Sequence, residues 1–271
     1  MKYQVLLSPL AFKRSAVVVA LVAAYSTSWA LPVFTLNPAG ATPTSLVGAP
    51  FDADNILISD FSRVTFASDL THFTDTGFLQ ITSFQLGDTT FTPVGLNTTY
   101  SLYFQFDGTG VLTTGTAATL RTAISEGDFT TLDYKLFGVL GNSKFDLVGA
   151  GGVPTVTNVG VPEELANGSL LSGGVGSLKE GPGKYVPGAA ASLSFAVVST
   201  GFFSFPVPFY DMALTSFTNT SSEILTFSDG FGIRKGGGSI NFASAVPEPE
   251  SYALMLAGLG VMAFVARRRR T

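Results

Sequence analysis

Thr99-Tyr100-Ser101-Leu102-Tyr103-Phe104-Gln105-Phe106 sets Tyr100, Leu102, Phe104 and Phe106 at every second position. That two-residue period belongs to a β-strand with one face turned to a core. The pattern recurs on the C-terminal side. Ser192-Leu193-Ser194-Phe195-Ala196-Val197 points Leu193, Phe195 and Val197 inward. Phe203, Phe205, Val207 and Phe209 form a further inward row, with Pro206 and Pro208 at the opposite parity. Proline cannot donate to a ladder, so that segment is expected at a sheet edge or in an extended loop. From Phe78 to Leu86 the apolar phase changes near Ser83, as it does at a β-bulge.

Turn signals separate these runs: Asp75-Thr-Gly77, Gly87-Asp88, Asp107-Gly108, Gly141-Asn142 and Asp229-Gly230. The Gly141-Asn142 pair between two apolar runs predicts a tight hairpin. Pro162-Glu163-Glu164-Leu165-Ala166 before Asn167-Gly168 is the one helix-start signal, enough for a turn or two. Residues 149–188 hold eleven glycines and four prolines in forty positions, the composition of a surface insertion or of a linker between two β halves; the shared strand style on both sides favours an insertion within one β domain. No fixed-period repeat is present, which argues against a solenoid or propeller. Short alternating strands point to an all-β fold, an antiparallel β-sandwich or jelly roll.

The two ends differ from this pattern. Lys2, Lys13 and Arg14 precede an apolar run from Ala16 to Ala24, and Ser28-Trp29-Ala30 offers small residues for cleavage. These are the features of a secretory signal peptide over residues 1–30, with a signal helix and cleavage after Ala30. At the other end stand Pro247-Glu248-Pro249, an uncharged run over 252–266, and Arg267, Arg268, Arg269 and Arg270. As a transmembrane helix that run would reach roughly 22 Å, less than the roughly 30 Å hydrocarbon core. The arginines hold its end on the cytoplasmic side.

Between the ends, residues 31–246 carry eight Lys/Arg against seventeen Asp/Glu, a net charge of −9. Such a span has no basic footprint for nucleic acid. The chain contains no cysteine, which excludes disulfides, thiol nucleophiles and thiolate metal sites. Its single histidine, His72, lies in Asp69-Leu-Thr-His72-Phe-Thr-Asp75, where it could serve as a base or ligand, or as a surface residue.

Asp52, Asp54, Asn55 and Asp60 place oxygen ligands close together, a spacing open to calcium or to a solvated acidic loop. No other cofactor is expected. Glu126, Asp128, Glu163, Glu164, Glu180 and Glu223 are the acids from which a glycosidase pair could be drawn, all but Glu164 directly beside Gly, Ser or Pro. Gly236-Gly237-Gly238 lacks the Lys-Ser/Thr ending of a phosphate loop and is expected as a flexible connection. Asn97, Asn167 and Asn219 begin glycosylation sequons.

The Pro-Glu-Pro, the apolar span and the arginine cluster together resemble the PEP-CTERM sorting signal of Gram-negative bacteria. The resemblance implies processing by an exosortase, a transient inner-membrane anchor and release to the cell exterior. Phe51-Asp-Ala-Asp-Asn-Ile-Leu-Ile-Ser-Asp60 and Tyr100-Ser-Leu-Tyr-Phe-Gln-Phe-Asp-Gly-Thr-Gly110 also resemble flocculation-associated PEP-CTERM proteins. That resemblance implies a non-enzymatic exterior protein acting with exopolysaccharide in flocs or biofilm. A secreted hydrolase of matrix polysaccharide is the alternative, and a small-ligand-binding surface domain a blander third.

Overall fold

The computed structural model describes residues 31–204, 211–218 and 223–243, with side chains for all but 211–218 and Ala243. Its elements are almost entirely strands. In chain order they are β1 (Phe34–Leu36), β2 (Phe51–Ala53), β3 (Asn55–Phe66), β4 (His72–Leu86), β5 (Thr89–Phe91), β6 (Tyr100–Thr114), β7 (Glu126–Leu140) and β8 (Lys144–Val148). There follow β9 (Val153–Thr157), β10 (Glu163–Gly181), β11 (Lys184–Ser194), β12 (Ala196–Val197), β13 (Phe203–Ser204), β14 (Asp211–Thr218), β15 (Ile224–Phe227) and β16 (Gly230–Ala243).

Eight of these close into a ring. β3, β4, β6, β7, β10, β11, β14 and β16 each pair antiparallel with the next, and β16 returns to β3. The result is an up-and-down barrel, a sheet with no free edge around its circumference. The expectation of an all-β antiparallel fold stands. The expected two-sheet sandwich gives way to one curled sheet. A sandwich and a barrel bury one strand face in the same way, so alternation alone does not separate them; the pairing of β11 with both β10 and β14 does.

That pairing runs through the Gly/Pro-rich 149–188 segment, which is no insertion: it supplies β9, β10 and the start of β11. Pro162–Ala166 enters β10 instead of starting a helix, because Glu163 and Glu164 pair with Gly138 and Phe137 of β7. Gly173 shows why glycine suits a strand here. It has φ +154°, and a Cβ would lie 2.6 Å from the Ala190 carbonyl oxygen. The barrel strands are also longer than the sequence suggested, since Asp75-Thr-Gly77 and Asp107-Gly108 lie inside β4 and β6. Gly77 marks a close approach: a Cβ there would meet Phe61 O and Ser62 Cβ at 2.6 Å. Gly236 to Gly238, expected as a flexible connection, are paired strand residues of β16. The β-bulge expected near Ser83 is present, for Leu57 pairs with Ser83 and Ile58 with Ile81, leaving Thr82 over.

Inside the ring, Ile56, Ile58, Leu79, Ile81, Leu102, Phe104, Tyr134, Leu136 and Ile240 are buried, together with Leu193 as expected. Phe195 packs against this core between Phe203 and Phe242, with ring centroids 5.1 and 4.8 Å away. Val197, expected inward, is exposed, because the chain leaves β11 and pairs briefly with β10 as β12. A small sheet of β13, β1 and β2 adds Phe34 and Leu36 to the same core. Phe34 meets Phe242 edge-on at 4.9 Å.

Outside the ring, the β8–β9 hairpin lies against the wall. The sequence suggested a hairpin joining β7 to β8 at Gly141-Asn142; instead β8 turns away and pairs with β9. Phe145 packs on Phe61, Phe78 and Tyr103 at 5.6, 6.1 and 5.3 Å. Arg63 Nε donates to Gly151 O at 2.9 Å, and Arg234 pairs with Asp146 at 2.8 Å. Arg63 also pairs with Asp229 and lies 4.5 Å over the Phe227 ring. Every charge-bearing partner of this latch is on the outer surface.

Phe104, 1% exposed at the centre of the wall, tests the closed core. Phe104→Ala should lower unfolding free energy by about 3–5 kcal/mol in denaturant titration. A loss below about 1 kcal/mol would mean that the barrel interior is not packed around it.

Candidate functional site

Among the described residues, those put forward from the sequence stand apart from one another. Asp52 lies exposed on β2 and accepts from Thr35 Oγ1 at 2.6 Å. Asp54 accepts from the Gly87 amide at 2.6 Å, and Asn55 Nδ2 donates to Gln85 Oε1 at 2.7 Å. Asp60 is 2% exposed and faces the barrel interior. The reason is the pleat: successive side chains of β3 point to opposite faces, and Asp60 shares parity with Ile56, Ile58 and Val64. Among the described residues, no group of three or more His, Asp or Glu converges as metal ligands would.

His72 is exposed at the start of β4 and its Nδ1 contacts Asp69. The Thr71 and His72 amides also donate to Asp69, and these bonds hold its carboxyl below the usual range. Of the candidate glycosidase acids, Glu163 accepts from the Thr44 amide at 2.9 Å. Glu164 pairs with Lys135 at 2.8 Å and accepts from Asn167 at 2.7 Å. Glu126 and Asp128 are exposed on β7.

Two features do have the shape of sites. The first is a cavity of about 80 Å³ inside the barrel. Phenylalanine and leucine dominate its wall, but Asp60 and Asp75 also line it. Asp60 accepts from Ser62 Oγ at 2.9 Å through one oxygen, while its Oδ1 has no partner. Asp75 Oδ1 is likewise buried and unpartnered. Burial drives the Asp60 pKa well above the usual carboxylate range, and the charge of Asp75 adds to it against the Ser62 hydrogen bond. Burial also pushes Asp75 up to about 7, with Asp107 contributing. Nothing in the local sequence marks this pair, since Asp75 stands in a turn signal and Asp60 in an acidic stretch. Only the inward parity of both positions would have flagged them.

The second feature is an outer groove of about 380 Å³, where β4, β6 and β7 meet the edge of β9. Thr76, Gln105, Asp107, Asp133 and Lys135 line it around Phe78, with Val153 and Pro154 on the far side. Asp107 and Asp133 stand directly opposite each other across β6 and β7, and Gln105 opposes Lys135. Two like charges facing across a ladder are unfavourable for the fold alone.

The described part is thus a closed antiparallel β-barrel with an apolar interior and a polar outer groove. Residues 245–270 match the PEP-CTERM protein-sorting motif, so the chain is a protein carrying that sorting domain. The motif implies processing by exosortase and export to the cell surface through a membrane-anchored precursor. No curated protein and no solved structure matches the chain. Pro247, Glu248, Pro249, the 252–266 span, Arg267–Arg270, and the signal segment with Ala30 lie outside the described residues. Among those described, no helix is long and apolar enough to cross a membrane.

A raised carboxyl pKa means that the folded state favours the protonated acid. Its contribution to stability is full below the unfolded value of 3.8 and is lost as pH rises through about 7. The protein should therefore lose stability between pH 5 and pH 8, and Asp75→Asn should flatten that slope. Denaturant titrations at the two pH values give the check; an unchanged slope in the variant would place Asp75 in contact with solvent.

Proposed function

We propose that this is a non-enzymatic exterior protein that acts with exopolysaccharide in floc or biofilm formation, with glycan held in the outer groove. The groove carries this reading. It offers carboxylate, amide, hydroxyl and ammonium groups around an aromatic ring, the mix that sugar hydroxyls and the apolar faces of pyranose rings call for. Exposed threonines extend the polar surface beside it: Thr109 Oγ1 lies 2.7 Å from both Thr130 and Thr131 Oγ1. The sorting motif supports the reading by taking the domain to the surface where such polymers lie. The acidity of the domain suits calcium-bridged contact with acidic polysaccharide as well as direct hydrogen bonding.

Deletion of the gene should abolish or strongly reduce flocculation while leaving turnover of matrix glycan unchanged. Unchanged aggregation with lost turnover would instead identify a secreted hydrolase. At the groove, Asp133→Ala combined with Gln105→Ala should lower retention of the exported protein on native exopolysaccharide by about tenfold, the size expected for about 1.4 kcal/mol. The fold should hold, because one of two opposed acids is removed. Retention equal to wild type would move the glycan contact off this groove.

Processing has its own test. Glu248→Ala should block maturation, and secreted wild-type protein should lack the segment from about Val246 onward. Mass spectrometry that finds Arg267–Arg270 on the secreted form would mean that the tail is a plain anchor.

A further inference from the structure

The interior cavity is a separate matter from the groove, and its chemistry points elsewhere. Its wall is apolar, yet it contains carboxyl oxygens that no protein group satisfies. Asp60 is 98% buried and aimed inward, and a buried polar atom left without a partner costs about 1–3 kcal/mol. A fold that gained only packing from these positions would place Leu or Val there. The charges around the cavity are one-sided. From β3 comes Asp60 and from β4 Asp75; β6, β7, β10, β11 and β16 add no Asp, Glu, Lys, Arg or His to the described lining. Tyr134 of β7 is engaged, its hydroxyl donating to Ser194 O at 2.8 Å. The nearest further charge acting on Asp75 is another acid, Asp107, on the outer face of β6. Arg63 belongs to β3 but points outward to Asp229 and Gly151.

The register then singles out Asp75. It pairs with Val64 on one side and Gly108 on the other. Phe73 is its inward neighbour along β4, and Phe106 and Leu132 line the same cavity. Asp60 pairs with Leu79, four residues further along β4, or about 13 Å of strand, so the two acids stand at different levels of the barrel. Gly108 leaves the position beside Asp75 without a side chain.

We propose that the barrel cavity binds a small primary alkylammonium ion, its nitrogen donating to the Asp75 carboxylate and its alkyl part lying against Val64, Phe73, Phe106 and Leu132. An apolar cavity of about 150 Å³ holds benzene, so the 80 Å³ here suits a ligand of about three to five heavy atoms. The ammonium supplies the donors that Asp75 lacks and neutralises the charge whose burial disfavours it. Asp60 already accepts from Ser62, and burial raises its pKa, so Asp75 is the acid left for the ammonium.

Calorimetric titration of the full exported protein with n-propylammonium, and with n-propanol beside it, tests this. Because Asp75 titrates at about 7, n-propylammonium should bind at pH 8 and weaken by roughly fifty- to a hundredfold at pH 5. Asp75→Asn should abolish binding at pH 8 while the variant stays folded. n-Propanol should not bind measurably at either pH. Equal binding of n-propanol at pH 5 and pH 8 would show a site for neutral donors and overturn the proposal. So would failure of n-propylammonium to bind folded wild type at pH 8. The wild-type pH comparison decides the matter even where the variant fails to fold.

Discussion

Closure of the sheet is the constraint on which the rest depends. β11 hydrogen-bonds to β10 along one side and to β14 along the other, and without those two ladders the sheet would end in exposed strands. An open antiparallel sheet with two free edges is a template for aggregation, a particular hazard for a secreted chain with no cysteine to staple it. Closure also creates the interior. A cavity can form between Phe73, Phe106 and Leu132 because the curled sheet brings strands from different parts of the chain around it.

The barrel divides charge by face. Both arginines near β3 serve the outer latch, binding Asp229, Gly151 O and Asp146 and holding the β8–β9 hairpin against the wall. The latch hairpin in turn forms one side of the outer groove through Val153 and Pro154. Inside, only acids are found among the described ionisable carboxyl and basic groups, and burial raises the pKa of both. Groove and cavity therefore differ in what they can take. The groove presents hydrated, mixed polar groups around one ring. The cavity presents unsatisfied carboxyl oxygens in an apolar box.

Much of the wall was legible from parity. The face assigned to Tyr100, Leu102, Phe104 and Phe106 is the inward face of β6, and the phase change near Ser83 is a bulge at Thr82. Glycine was misleading because it has two uses that look alike in a sequence. At Gly87, with φ +59°, it makes the turn that was expected. At Gly77 and Gly173 it lets neighbouring chains approach, inside strands that the turn reading cut short. The same ambiguity turned β10 and β11 into an insertion. Asp75 and Asp60 were lost because an acid next to Thr or Ser normally signals solvent, and only register across β3 and β4 shows that both face inward.

The route of this protein was therefore a property of the sequence by itself. A sorting motif at 245–270 is read linearly by a processing enzyme, so residue identity and order are sufficient. Strand type was also local, because burial of one face imposes a period of two wherever a strand lies. Ring closure, the two inward-facing acids and the groove were decided by tertiary structure alone. Each depends on which residue of one strand stands opposite which residue of another, and a shift of one position would turn Asp60 and Asp75 to the outside.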